Sequence, residues 1–89
     1  MEPVLPGAEL IEKGIADLGD GIESVEALLV SIGAPRLRRI GFELPPPLSS
    51  PEHRLYEMLA RSESDSAHSR YNALLRRLVS FERAAECAR

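Results

Sequence analysis

Between Ser66 and Ala88 the chain places apolar or small residues at Ala67, Tyr71, Leu74, Leu78, Phe81, Ala85 and Ala88, in alternating steps of four and three. That spacing keeps one face of an α-helix apolar and approaches a coiled-coil seam. Leu75 and Val79 widen the seam into a stripe. Arg70, Arg76, Arg77, Arg83 and Glu86 fall largely off it, and no Gly or Pro interrupts the run. A long amphipathic C-terminal helix is predicted, and the rest of the chain is expected to pack around it.

Upstream, Ile11, Ile15 and Leu18 share a face of a first helix over Ala8–Leu18, with Leu10 beside them and Gly14 as a weak point. Gly19 suits the left-handed residue after its end. Asp20 with Glu23 reads as an acidic capping box for a second helix, Gly21–Ile32, carrying Ile22, Val25, Leu28, Leu29 and Ile32 and ended by Gly33. Pro35 then starts a short helix, Arg36–Ile40, closed by Gly41. Three prolines, Pro45 to Pro47, make 42–50 an extended connector between an N-terminal and a C-terminal helical layer. Ser50 before Pro51, or Ser49 with Glu52, starts a helix over Pro51–Arg61 that buries Leu55, Met58 and Leu59. The polar turn Ser62–Asp65 leads into the final helix, with Ser62 or Ser64 as its cap.

The expected fold is all-α: a single domain spanning 1–89, a small bundle of four to five helices with the long C-terminal helix at its centre and 1–6 as a flexible lead-in. With 44% hydrophobic residues and no Trp, its core must be built from Leu, Ile, Val and Ala. A chain of 89 residues buries a modest fraction of its surface. A final helix of about 23 residues is roughly 35 Å long, about twice its neighbours. Part of its seam is therefore expected to meet a second copy, most simply in a two-fold dimer. The expected interface is Tyr71, Leu74, Leu75, Leu78, Phe81 and Ala85, flanked by Arg77 and Arg83.

Charge adds one competing reading. Through Gly33 there are seven acidic residues and one basic, whereas the remainder holds seven acids and ten arginines, for a net charge of −3. Segment 22–41 has the outline of a helix-turn-helix whose Arg36, Arg38 and Arg39 could contact nucleic acid. The negative total and the acidic preceding helix argue against it. His53 and His68, with Cys87 distant in sequence, lack metal-ligand spacing, and no serine has a neighbouring base. No catalytic residue, metal or cofactor is expected, so the chain does not read as an enzyme. No apolar run is long enough for a membrane span. A single cysteine and the lack of an opening signal segment fit a cytoplasmic protein. The functional expectation is a small intracellular interaction module, an adaptor or regulatory subunit, acting through self-association or a protein partner. The alternatives are the nucleic-acid-binding regulator and a non-catalytic accessory subunit of a larger enzyme.

Overall fold

In the computed structural model, which describes residues 5–88, the helices are α1 (Ala8–Gly19), α2 (Val25–Ile40), α3 (Pro51–Ser62) and α4 (Ala67–Cys87). No strand occurs among the described residues. Of the expected lead-in, residues 1–4 lie outside the described residues, while Leu5 accepts the first bond of the turn, from the Ala8 amide at 3.1 Å.

The second and third expected helices are one. Helix α2 runs unbroken through Gly33 and Pro35. Proline inside a helix costs about 3 kcal/mol, because it lacks an N–H and its ring crowds the preceding turn. Pro35 faces outward. Continuing the helix buries Leu37 fully and Ile40 almost fully. Each such side chain contributes about 1.5–3 kcal/mol, so the pair offsets the proline. Its start also differs from expectation. Ser24, not Asp20, caps α2: its Oγ accepts the Ala27 amide at 3.1 Å and donates to Asp17 Oδ2 at 2.6 Å. Gly41, at φ 120°, closes the helix, its amide bonding back to Leu37 and Arg38.

Helix α2 packs against each of the other three, whereas α4 packs chiefly on α2 and α3. The central element is therefore α2, not the C-terminal helix. Leu28, Leu29, Val30 and Leu37 of α2 are fully buried, together with Ile11, Leu55 and Leu59 from its neighbours. Two glycines let the helices approach. A Cβ on Gly14 would overlap the Glu26 carbonyl and the Val30 side chain of α2, and one on Gly33 would sit 2.8 Å from Leu78 Cδ1 of α4. Both glycines thus mark close crossings rather than weak points or ends.

The connector lies back on the bundle. Phe42 packs on Phe81 with ring centroids 5.5 Å apart. The Leu48 amide donates to Ser31 Oγ at 3.0 Å, and that hydroxyl donates to the Ala27 carbonyl at 2.8 Å. Pro51 begins α3 as expected, but Ser50 is left-handed (φ 45°) and forms no side-chain cap, nor does Ser49. Ser66, rather than Ser62 or Ser64, precedes α4, and its Oγ donates to Glu63 Oε2 at 2.7 Å.

Candidate functional site

Helix α4 is 21 residues long without a break, and its apolar stripe divides in two. Leu78, Phe81 and Ala85 are buried in the chain's own core. They are not part of an exposed docking face, because α2 and the connector already cover them. Tyr71, Leu74 and Leu75 are half-buried, and Val79 is exposed. Tyr71 meets Tyr56 edge-on, with centroids 5.6 Å apart. Arg77, expected at the rim of an interface, instead ties α4 to α1 by donating to Glu9 at 2.7 Å.

Val79 opens onto the seam between α2 and α4. A depression of about 330 Å³ lies in that seam, and a second of about 640 Å³, lined by α4 alone, adjoins it on the outer face of that helix; the two share Leu75 and Val79. The apolar lining of the first adds Ile32 and Pro35 from α2, with Leu78 and Gly33 at the bottom. At Gly33 the Leu78 and Glu82 side chains of α4 come up against the backbone of α2.

Charged side chains border the strip. Arg36 of α2 reaches across to α4, its Nε donating to Glu86 at 2.8 Å and its Nη1 lying 3.6 Å from Glu82. Hydrogen bonding to Arg36 holds the Glu86 carboxyl below its ordinary pKa. Glu82 behaves oppositely. It is 4% exposed, and burial pushes its carboxyl up more than Arg36 pulls it down. Arg39 lines the strip from α2, and Arg76 and Arg83 lie beside it on the outer face of α4. Among the described residues these three have no ion-pair partner. The groove therefore carries four arginines against two glutamates, within a protein whose net charge is negative.

This placement gathers residues that the sequence left in separate hypotheses: Leu75 and Arg83 from the interface, Arg36 and Arg39 from the nucleic-acid reading. It also takes the helix-turn-helix away. There is no turn at Gly33, Arg36 is held by two carboxylates, and Arg38 donates to the Pro45 carbonyl at 3.3 Å. Of the three arginines only Arg39 forms no hydrogen bond or close ion pair among the described residues, though its charge acts on Glu82 and Glu86. Ile32, Pro35 and Val79 were not singled out for the site, since their shared surface exists only once two helices cross. The buried Glu82 was also missed. Its position one turn after Leu78 on the apolar stripe was the available signal.

Elsewhere the chemistry is sparse. Among the described residues no three His, Cys, Asp or Glu side chains lie together as metal ligands, and no helix is long and apolar enough to cross a membrane. His53 pairs with Glu57 on the exposed face of α3, and His68 lies 3.2 Å from Asn72 on α4. An apolar depression of about 330 Å³ lies where the C-terminal ends of α2 and α4 meet the connector, lined by Leu5, Ile40, Phe42 and Ala85. No family model, curated protein or solved structure matches the chain.

Proposed function

We propose that this protein is a non-catalytic interaction module, an adaptor or regulatory subunit, that docks another protein on the α2–α4 groove. The observation carrying this reading is the coincidence of exposed or half-exposed apolar side chains from two helices, Ile32, Pro35, Leu75 and Val79, with three arginines, Arg39, Arg76 and Arg83, that form no close ion pair among the described residues. Apolar contact supplies affinity, while the charged border sets orientation and excludes wrong partners. The C-terminal helix contributes one wall, not the entire surface, because Leu78, Phe81 and Ala85 belong to the core.

Titrating isotope-labelled protein with an amphipathic helical peptide whose polar positions are all Gln tests the location independently of charge. Amide shifts should concentrate in residues 32–39 and 72–83. Shifts confined to other regions, or none at millimolar peptide, would refute the groove as a docking face.

A further inference from the structure

We infer that the groove's occupant is an acidic amphipathic α-helix of another protein. The inference rests on the docking reading above and deepens it by naming the partner's chemistry.

A helix fits better than an extended segment. There is no sheet edge among the described residues on which a peptide could add a strand. Leu75 and Val79 are one helical turn apart on α4, and Arg76 and Arg83 are two turns apart on the same helix. A second helix laid alongside α4 repeats those intervals. Apolar residues spaced three or four apart rest on Leu75 and Val79, and carboxylates seven apart face Arg76 and Arg83. Arg39 offers a third charge from the opposite wall.

Charge also separates this occupant from two others. A second copy docked antiparallel on the same face by two-fold symmetry would set the Arg76 and Arg83 of the two copies against each other, a like-charge juxtaposition that costs association energy. Nucleic acid fits poorly because the seam is floored by apolar side chains, Ile32, Pro35, Leu75 and Val79, and no aromatic side chain lines it for stacking.

The test uses two synthetic helical peptides of about 18 residues with the same Leu positions, one flanked by Glu and one by Lys. The Glu peptide should bind at least about tenfold more tightly than the Lys peptide, and its affinity should fall several-fold between about 50 and 200 mM salt. R76E/R83E should abolish or invert that preference. Both sites are exposed, so helicity should be unchanged, and R39E should give a smaller effect in the same direction. Equal affinity for both peptides, with V79D weakening both, would overturn the acidic partner while leaving the docking face intact. If V79D changes neither, or neither peptide binds, the docking face itself falls. A stable dimer blocked by V79D, or a duplex oligonucleotide that displaces the Glu peptide, would also overturn the proposal.

Discussion

Two glycines on one fold carry opposite consequences for a single added methyl. At Gly14 a Cβ would meet backbone, the Glu26 carbonyl, which cannot yield without separating α1 from α2. At Gly33 it would meet the ends of Leu78 and Glu82, which can rotate away. Gly→Ala in a helix interior otherwise gains about 1 kcal/mol of propensity. G14A should therefore cost about 1–3 kcal/mol, while G33A should stay within about 1 kcal/mol of wild type in denaturant titration. Ser24 joins two elements through one hydroxyl, so S24A should cost about 1–2 kcal/mol. Hydrogen bonds from Lys13 and then Ser24 lower the Asp17 pKa. That stabilisation is present above the unfolded value of 3.8 and is lost as pH falls through the folded one. Stability measured down through that range should fall less steeply in S24A. For Glu82 the sign reverses. Its raised pKa favours folding below the unfolded value of 4.5, an advantage lost as pH rises through the folded value. E82Q should thus equal or exceed wild type near neutral pH, since Arg36 keeps Glu86, and the gap should close in acid. A gap that widens on acidification would contradict the buried-carboxylate account.

At the scale of elements, the hydroxyl of Ser31 does what the prolines of the connector cannot. Pro45 to Pro47 have no amide to donate, so the connector is pinned where an amide is next available, at Leu48. Removing the hydroxyl leaves that half-buried amide without its acceptor. S31A should cost about 1–3 kcal/mol, and hydrogen exchange at Leu48 should accelerate more than at the centre of α2. Unaltered exchange there would mean the connector is held by Phe42 and its neighbours alone. Continuity of α2 has the same origin in tertiary contact. The helix continues past Pro35 because Leu37 and Ile40 find a core beyond it.

For the molecule as a whole, stability and recognition draw on the same helix at different positions. Leu78 is 3% exposed, and L78A should lower stability by about 2–5 kcal/mol in thermal or denaturant unfolding. Val79, its neighbour in sequence, points out of the bundle and contributes to the groove. The periodicity of the chain determined α1, α3 and α4 as helices and determined the all-α class, because a repeat near 3.6 is a local property of apolar spacing. It could not determine whether Gly33-Ala34-Pro35 ends a helix, since the same three residues are a stop signal when nothing lies beyond and are carried within the helix when a core does. Nor could it distribute the stripe of α4 between core and surface. Both depend on where α2 crosses α4, which is set by the volumes of residues remote in sequence. The groove and its arginine border belong to that crossing, which is why only the tertiary structure brings them together.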